Sequence, residues 1–403
     1  MKNLLIISQS LTGGGAEKVA ANLSLELSKR YNVFLVTYKK NEKEYEHKGT
    51  RIDIDCIGGG ASIIKKIGNA LYRIRSLKRI KRQYNIDYSL SLVPQTDYAN
   101  VFSRTRREKI IIEVSSNTSA AFKSFFSRFV RRIILLKSDK IVTVSKGSQS
   151  DLIKLFSIPQ KKITCIYNTC DIATIKRKAQ LSGKWQVDYP YVVAMGSFRK
   201  PKGHWHLIKA FSLLKKDYPE LKLVIIGDGE YKKLYLNLIE NLGLEAGDLI
   251  LPGFLENPYP IISRASLFVF PSIYEGFGNA IIEAMACGVP VVSSDCKFGP
   301  KEIIAPEIDL TDEIKEMIIN DYGCITPHLG DDDIDCSKAI TGQEIILYQA
   351  MKKIMENKEL TTKLIKNGRK RCLAFDNGTI CEKWSKVIEE LVNEGISRRK
   401  KNA

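Results

Sequence analysis

The most constraining feature of the sequence is one stretch, residues 266–304, in which an apolar run, a glycine-bearing loop and an apolar helix follow one another. Leu267 to Phe270 predicts a strand, Asn279 to Cys287 predicts a helix that ends at Gly288, and Val289 to Ser293 predicts a second strand. Two parallel strands joined through a helix form a βαβ unit with a right-handed crossover. The stretch therefore predicts an α/β protein.

The predicted helix carries a single polar residue, Glu283, and is apolar on every other face, so it should be buried all round. A buried carboxylate without a partner would cost several kcal/mol, and a structural ion pair is the usual explanation for one. A second acid, Glu275, lies in the loop at the carboxyl end of the preceding strand, where open α/β sheets bind ligands. The two acids are therefore expected to share one crevice.

The length and composition fit an ordinary globular protein with an anionic partner. A chain of 403 residues is long enough for two domains, each with its own core. Apolar residues make up 44% of the chain and charged residues 27%. The formal charge of +18 favours nucleic acid, a nucleotide or a membrane surface as partner, and charge alone does not choose among them.

Cysteine usage indicates reduced thiols in the cytosol. The nine cysteines form no CxxC pair and accompany four histidines, which argues against both a zinc site and a disulfide framework. The apolar run at the N-terminus is too short for a signal peptide and predicts a first strand. No stretch approaches the ~18 to 20 consecutive apolar residues of a spanning helix, so any membrane contact is expected to be peripheral.

The first half of the chain alternates strands and helices. Strand Asn3 to Ser8 leads through the loop Gly13 to Gly15 into the helix Ala16 to Ser28, and further strands are predicted at 33–37, 88–93, 109–113, 140–144 and 161–167. A glycine loop before a helix can hold an anion, and it can equally be a tight turn. Lys18 occupies the third glycine position of GxGxxG, so the dinucleotide fingerprint is incomplete.

The second half restarts the alternation, with a strand at 191–195, a glycine-containing basic loop at 196–203, a helix at 204–214 and a strand at 222–226. Residues 168–185 predict an inter-domain connection. Helices are predicted at 343–356, 358–374 and 381–394. We therefore expect a first domain over 1–170, a second over 186–375, and a C-terminal helix with a basic tail over 376–403.

Two stretches predict basic amphipathic helices, at residues 61–83 and 121–137. Either one alone is explained by a solvated helix face or by aromatic core residues. Together they suit an anionic membrane surface, where each basic residue adds ~1 kcal/mol. The residues assigned to a membrane or acceptor surface are Lys65, Lys66, Arg73, Arg75, Lys78, Arg79, Phe122, Phe125, Phe126, Arg128, Arg131 and Arg132.

The predicted crevice has the chemistry of a nucleotide-sugar site. The carboxylates of Glu275 and Glu283 can accept hydrogen bonds from the paired hydroxyls of a ribose or a sugar. Arg199 and Lys202, in the loop before a helix N-terminus, suit a diphosphate, although a solvated turn explains them equally well.

The sequence resembles the retaining glycosyltransferases of family 4. Glu275, seven residues and Glu283, set in FPSIYEGFGNAIIEAMACGVPVV, are similar to the EX7E signature of that family. GSFRKPKGHWHLIKAF, LVIIGDGE and GPKEI follow family order, and GGGAEKVAANLS, IVTVSKGSQSDLIKLF and IYNTCDI are weaker matches. The resemblance implies an α/β GT-B fold of two Rossmann-like domains facing across a cleft, with the C-terminal helix crossing back to the first domain.

The resemblance also implies roles for individual residues. Glu283 would bind the donor ribose, Glu275 the transferred sugar, and Lys202 the diphosphate. Ser197 stands where many members have an arginine that binds the diphosphate, and Arg199 is the candidate substitute. The other residues assigned to the donor are Gly276, Phe277, Gly278 and Asn279, together with Gly14 and Gly15 of the first domain. Many members carry a histidine in the segment that here reads Glu113-Val-Ser-Ser-Asn117, and the single histidine of this half is His47 in a loop.

The implied activity is a retaining, metal-independent transfer of a hexose or N-acetylhexosamine from a UDP-sugar to a lipid-linked glycan. The enzyme would need no cofactor, would act in polysaccharide assembly, and would sit peripherally on the cytoplasmic face of the membrane. The run Asp331-Asp332-Asp333 predicts a solvated acidic turn and not a metal site. Two alternatives stay open: a basic nucleic-acid-binding protein, marked by steep salt dependence with generic DNA, and a non-catalytic scaffold, which the intact pair of acids disfavours.

Overall fold

The computed structural model describes residues 1–39, 43–54, 63–115, 122, 124–181, 187–330, 334 and 339–401. The chain divides into two compact units. The first contains Met1–Cys170 together with Asp376–Ala403, and the second contains Asp171–Phe375. The C-terminal segment therefore returns to the first unit, as the sequence predicted.

The first unit is built on a parallel sheet with strand order β3-β2-β1-β4-β5-β6-β7. Its strands are β1 Asn3–Ser8, β2 Asn32–Thr37, β3 Thr50–Asp53, β4 Tyr88–Ser91, β5 Lys109–Val114, β6 Lys140–Thr143 and β7 Ile163–Cys165. Its helices include α1 Gly15–Leu27, α2 Ile63–Gln83, α3 Pro94–Phe102, α4 Phe125–Lys137 and α5 Lys146–Phe156. The strand order reverses between β1 and β4, so the glycine loop after β1 lies at a topological switch point.

Helix α3, which the sequence analysis did not predict, contacts the two basic helices. It packs against both α2 and α4. Asp97 of α3 forms an ion pair with Arg131 of α4, and Asn100 of α3 accepts hydrogen bonds from Lys81 of α2. The basic helices are therefore fixed to the first sheet by a helix whose inner face is itself polar.

The second unit is built on a sheet with strand order β10-β9-β8-β11-β12-β14-β13, parallel except for the antiparallel edge strand β13. Its strands are β8 Tyr191–Met195, β9 Lys222–Ile226, β10 Leu249–Ile250, β11 Leu267–Phe270, β12 Val291–Ser294, β13 Ile318–Asn320 and β14 Gly323–Thr326. Its helices are α6 Ile172–Ala179, α7 His204–Asp217, α8 Lys232–Asn241, α9 Tyr259–Ile262, α10 Asn279–Cys287, α11 Pro300–Ile304, α12 Gly342–Glu356 and α13 Lys358–Arg371, as far as the unit is described.

Helix α6 lies inside the stretch that was interpreted as a connection between domains. It packs against α9 and α10, and Ile172 and Ile175 are buried. Residues 172–179 therefore belong to the second unit and are not merely a linker. This helix was not predicted from the sequence because it is short and mostly polar.

The predicted βαβ unit is β11, α10 and β12. Residues Ile281 to Cys287 of α10 are buried, and Gly288 ends the helix with φ of +79°. The second strand begins at Val291, two residues later than predicted. The amide of Val289 still bonds to the carbonyl of Ala284 in the helix end, and Pro290 has no amide to donate.

The C-terminal helix α14, Asn377–Lys401, completes the core of the first unit. It packs against α1, and Ile380, Trp384, Ile388 and Leu391 are buried in the same cluster as Leu4 and Ile6 of β1. The cysteines in the described part of the chain are free thiols. Among the described helices none has the length and apolarity needed to cross a bilayer.

Candidate functional site

Two loops of the second unit meet at the switch point of its sheet, where β8 pairs with β11. The Lys202 loop, residues 196–203, follows β8, and the Glu275 loop, residues 271–278, follows β11. The backbone amide of Ile273 donates to the carbonyl of Pro201 at 2.8 Å. A Cβ at Gly203, whose φ is +60°, would lie 2.1 Å from the carbonyl oxygen of Pro271, so a glycine is needed where the loops touch.

The contact between the loops brings Lys202 and Glu275 together. Their ammonium and carboxylate groups form an ion pair, with side chains 25% and 14% exposed respectively. Ser272 donates its hydroxyl to the same carboxylate oxygen, Oε1 of Glu275, at 2.9 Å. The residues assigned to the sugar and the diphosphate therefore neutralise each other, and a ligand that uses both must replace their mutual contact.

Arg199 lies beside Ser197, the position at which the family often has an arginine. Its guanidinium is exposed, and Nε donates to the hydroxyl oxygen of Ser197 at 3.0 Å. The two candidates for the missing diphosphate contact are thus linked, and together they present one cation at the mouth of the Lys202 loop.

Glu283 is buried on helix α10 with 6% of its surface exposed. The hydroxyl of Tyr259 on α9 donates to its Oε1 at 3.3 Å. The helix N-cap is Gly278, with φ of +104°, and within the described residues no side chain caps this end of the helix. Amides at a helix N-terminus can bind anions, so the predicted phosphate contact and the predicted ribose contact lie on one element.

The remaining residues of the Glu275 loop are shaped by packing. Phe277 is buried against Phe375, with ring centroids 5.5 Å apart. Gly276 and Asn279 are partly exposed on either side of it. The buried aromatic ring therefore anchors the loop, and the predicted donor contacts of its neighbours stay a prediction.

Several residues of this site were not predicted from the sequence. Ser272 bonds to Glu275, Tyr259 bonds to Glu283, and His328, in the loop after β14, bonds to the Glu275 loop. Ser272 lies within the recognised motif and could have been found there. Tyr259 and His328 are brought to the site by tertiary packing alone, and no local pattern marks them.

Two titratable groups beside the site serve its structure. His204 is buried edge-on against Phe198 and Tyr235, and burial, with the nearby Lys202 charge, lowers its pKa to about 3. Burial, together with the charges of Glu275 and Asp295, raises the pKa of the Cys296 thiol well above its usual value. Both groups are therefore neutral at physiological pH.

The predicted phosphate contacts of the first unit, Gly14 and Gly15, begin helix α1. The carboxylate of Glu17 folds back over Gly14, so that a Cβ there would lie 2.0 Å from Glu17 Oε2. Burial raises the pKa of the Glu17 carboxyl. A phosphate approaching these glycines would have to move the Glu17 side chain, and the role of the loop stays a prediction.

The basic face of α2 is exposed as predicted. Its exposed cations are Lys65, Lys66, Arg75, Lys78, Arg79 and Arg82. A shallow groove on this helix is lined by Arg75, Lys78, Arg79 and Arg82 together with Gln83. Arg73 is partly buried, because its guanidinium lies 4.5 Å from the centre of the Tyr38 ring and bonds to the Tyr98 hydroxyl. The helix therefore offers an exposed cationic surface, while Arg73 and the buried Lys81 anchor it to the rest of the unit.

Helix α4 presents aromatic side chains outward. Phe125 is 85% exposed and Phe126 is 75% exposed, while Phe129 is 51% exposed. The apolar face predicted from the sequence therefore points away from the core over the first turns of the helix.

The assignment of Arg131 to a surface that binds the membrane or the acceptor is wrong. Arg131 is 2% exposed and pairs with the buried Asp97 at 2.5 Å. Phe122 is partly buried against Phe156, because it closes the core beneath α4. Arg128 and Arg132 each donate from Nε to a backbone carbonyl, at 2.9 and 2.8 Å. Lys123, part of the predicted helix, lies outside the described residues.

Glu113 is a buried acid in the segment where many family members carry a histidine. It is 2% exposed, and its Oε1 has no hydrogen-bond partner among the described residues. Burial, with the charge of Asp97, raises its pKa to about 8. His47, the histidine of this half, has Nδ1 at 2.9 Å from the carbonyl of Tyr45 in its own loop.

The two sheets with their switch points, the acids Glu275 and Glu283 and the basic Lys202 loop are the features expected of a glycosyltransferase of the GT-B fold. Residues 13–174 match the model of Glycosyltransferase Family 4, and residues 176–311 match that of Glycosyl transferases group 1. The chain belongs to the family 4 glycosyltransferases.

Named relatives act on lipid-linked glycans. The chain is 30% identical, over 96% of its length and 100% of the relative, to the N-acetylgalactosamine-N,N'-diacetylbacillosaminyl-diphospho-undecaprenol 4-alpha-N-acetylgalactosaminyltransferase of Campylobacter jejuni. It is 22% identical, over 98% of its length and 100% of the relative, to a GalNAc-alpha-(1->4)-GalNAc-alpha-(1->3)-diNAcBac-PP-undecaprenol alpha-1,4-N-acetyl-D-galactosaminyltransferase of the same organism.

A solved structure supports the fold. HepE from Anabaena, crystallised with UDP and glucose, superposes with a TM-score of 0.72 at 17% identity, covering 96% of this chain and 99% of that one. Among the residues described, no group of three or more metal-ligating side chains is brought together. Asp331-Asp332-Asp333 lies outside the described residues.

Proposed function

We propose that this glycosyltransferase moves an N-acetylhexosamine or hexose from a UDP-sugar, with retention at the anomeric carbon and without a metal ion, to a lipid-linked glycan. The donor part of the proposal rests on the ion pair of Lys202 and Glu275 at the switch point. The buried Glu283 lies on helix α10, which directly follows the Glu275 loop. The acceptor part is supported by the full-length relative named for a diphospho-undecaprenol substrate.

The proposed donor pose assigns one chemical task to each residue. Glu283 accepts hydrogen bonds from the two ribose hydroxyls, and Tyr259 holds its carboxylate in position. The diphosphate takes over the contact that Lys202 makes with Glu275, with Arg199 at its other side. Glu275, freed from the lysine, accepts hydrogen bonds from the hydroxyls of the transferred sugar.

The proposed reaction needs no acid or base from the protein. As the bond from the anomeric carbon to the diphosphate oxygen breaks, the acceptor oxygen bonds to the same face of that carbon. The acceptor proton passes to the departing diphosphate oxygen. Lys202 and the amides at the start of α10 stabilise the charge that develops on the diphosphate, and each such contact is worth ~3 kcal/mol.

The proposed location is the surface of an anionic membrane, on its cytoplasmic side. The cations of α2 would bind lipid headgroups at ~1 kcal/mol each. Phe125 and Phe126 of α4 would insert at the interface between headgroups and acyl chains. Because α3 packs against both helices, the charged and aromatic surfaces belong to one structural layer of the first unit.

The experiment that tests this function is a thermal-shift screen with UDP, GDP, ADP and their sugars, followed by mass spectrometry of products formed on an undecaprenyl-diphosphate-linked glycan. UDP and one UDP-sugar are expected to raise the melting temperature, and the acceptor is expected to gain one sugar mass. A chain that binds no nucleotide, or that binds DNA with steep salt dependence, would overturn the proposal.

A further inference from the structure

His328 has both ring nitrogens bonded, and its two partners define its tautomer. Nε2 lies 3.1 Å from the carbonyl oxygen of Ile273, and the backbone amide of Gly330 lies 3.1 Å from Nδ1. A carbonyl only accepts and an amide only donates, so Nε2 carries the proton and Nδ1 does not. The imidazole is therefore a neutral bridge from the loop after β14 to the Glu275 loop.

A bond to the carbonyl of Ile273 can affect the position of Glu275, because Ile273 lies only two residues before it in the same loop. The amide of Ile273 is bonded to the carbonyl of Pro201, and the amide of Glu275 to the carbonyl of Lys297 at 3.0 Å. His328 supplies a further attachment, from the loop after β14, at the carbonyl of Ile273. The ring also lies edge-on to Tyr274, with centroids 6.4 Å apart.

We infer that His328 is a positioning residue that holds the Glu275 carboxylate at the transferred sugar through the carbonyl of Ile273. Its role is to act through the loop that carries Glu275. Loss of the Nε2 bond would release one anchor of the loop and let Glu275 follow Lys202 when the diphosphate pulls the lysine away. The inference rests on the proposed donor site, and it assigns a role that the recognised motifs do not contain.

Two amide substitutions separate the two bonds of the imidazole. In His328→Gln the side-chain amide can reach the position of Nε2 and donate to Ile273, while the bond from Gly330 is lost. In His328→Asn the amide oxygen can take the place of Nδ1 and accept from Gly330, while the bond to Ile273 is lost. A residue that merely stabilises its own loop needs the Gly330 bond, and a positioning residue needs the Ile273 bond.

The test is calorimetric titration of UDP and UDP-N-acetylgalactosamine into the full-length protein and both variants. We expect His328→Asn to weaken binding of the nucleotide sugar by about fivefold. The affinity for UDP should be unchanged, because UDP lacks the transferred sugar to which Glu275 is assigned. His328→Gln should retain the affinity of the unaltered protein for both ligands. Equal affinities in the two variants, or a loss confined to the glutamine variant, would overturn the inference.

A second measurement does not depend on the donor. Hydrogen exchange of the Ile273, Tyr274 and Glu275 amides should be faster in the asparagine variant than in the glutamine variant. If the unaltered protein binds neither UDP nor the nucleotide sugar, the proposed function fails, and the exchange rates still decide whether His328 holds the loop. Identical exchange in both variants would remove the positioning role.

Discussion

Lys202 and Glu275 lie on loops more than seventy positions apart in sequence and form an ion pair with each other, reinforced by the Ser272 hydroxyl. The pair joins the two loops where they meet and places an ammonium group next to a carboxylate, as the proposed sugar diphosphate site requires. It also sets a requirement on binding, because the ligand must offer Lys202 a better anion than the carboxylate does.

Glu275→Gln is predicted to reduce kcat/KM for the nucleotide sugar by about two orders of magnitude. The neutral amide binds the hydroxyls of the transferred sugar less strongly than the carboxylate does in the transition state. UDP should bind at least as tightly as before, because Lys202 no longer has a competing carboxylate. Steady-state kinetics and UDP titration check both statements. A glutamine variant with full activity would remove Glu275 from the site.

Glu283→Gln is predicted to weaken UDP binding by about ten- to a hundredfold, since hydrogen bonds to a charged group contribute ~1.5 to 3 kcal/mol. Tyr259→Phe is the matched variant, because it removes the neutral partner of the same carboxylate and should cost about fivefold. Calorimetry measures both. The assignment fails if the tyrosine variant loses more affinity than the glutamine variant.

Phe125→Ser combined with Phe126→Ser is predicted to weaken binding to vesicles that contain phosphatidylglycerol by at least about tenfold, because each buried ring is worth ~1.5 to 3 kcal/mol. Phe254→Ser is the control, since Phe254 is also exposed, at 65%, and belongs to the second unit. Co-sedimentation with vesicles reports the difference. Equal loss in both proteins would contradict a specific insertion by α4.

Arg131→Ala is predicted to destabilise the fold by about 3 to 5 kcal/mol, because it leaves Asp97 buried without its counter-ion. Arg132→Ala, the next residue on the same helix, should change stability by about 1 kcal/mol or less, since Arg132 is exposed. Urea unfolding of the two variants makes the comparison. Similar losses would show that Arg131 is not the internal anchor of α4.

Glu113 should make stability depend on pH. Its pKa is raised from 4.5 to about 8 by folding, so between these values the folded protein keeps a proton that the unfolded chain has released. The stabilisation is complete below the lower value and is lost as pH rises through the upper one. Urea unfolding at pH 5.5 and pH 8.5 should show a loss in the unaltered protein that Glu113→Gln reduces, and an undiminished loss would contradict this origin.

The site was predictable where function and fold share one local pattern. Residues 266–304 specify the βαβ unit, the burial of Glu283 and the place of Glu275 in the loop after the first strand through spacing alone. Lys202 and Glu275 were expected in one crevice because their loops follow parallel strands, and the pairing of β8 with β11 brings the two side chains together. These statements required no contact between distant residues beyond strand pairing.

The errors arise where a polar residue is buried by a distant partner. Helix α3 was missed because Asp97 and Asn100 interrupt the apolar spacing that marks a helix facing a core. Arg131 was assigned to the surface for the same reason, since its counter-ion Asp97 lies on that missed helix. The contacts of His328 and Tyr259 with the site could not be predicted, because neither residue belongs to a local motif.

The stereochemistry of the product tests the central claim most directly, because it depends on donor, acceptor and site together. Nuclear magnetic resonance of the glycan formed from an α-linked UDP-sugar on an undecaprenyl-diphosphate-linked acceptor reports the new anomeric configuration. We predict an α-linked product with the unaltered protein and at most trace product with Glu275→Gln. A β-linked product, or transfer that survives loss of both Glu275 and Glu283, would contradict it.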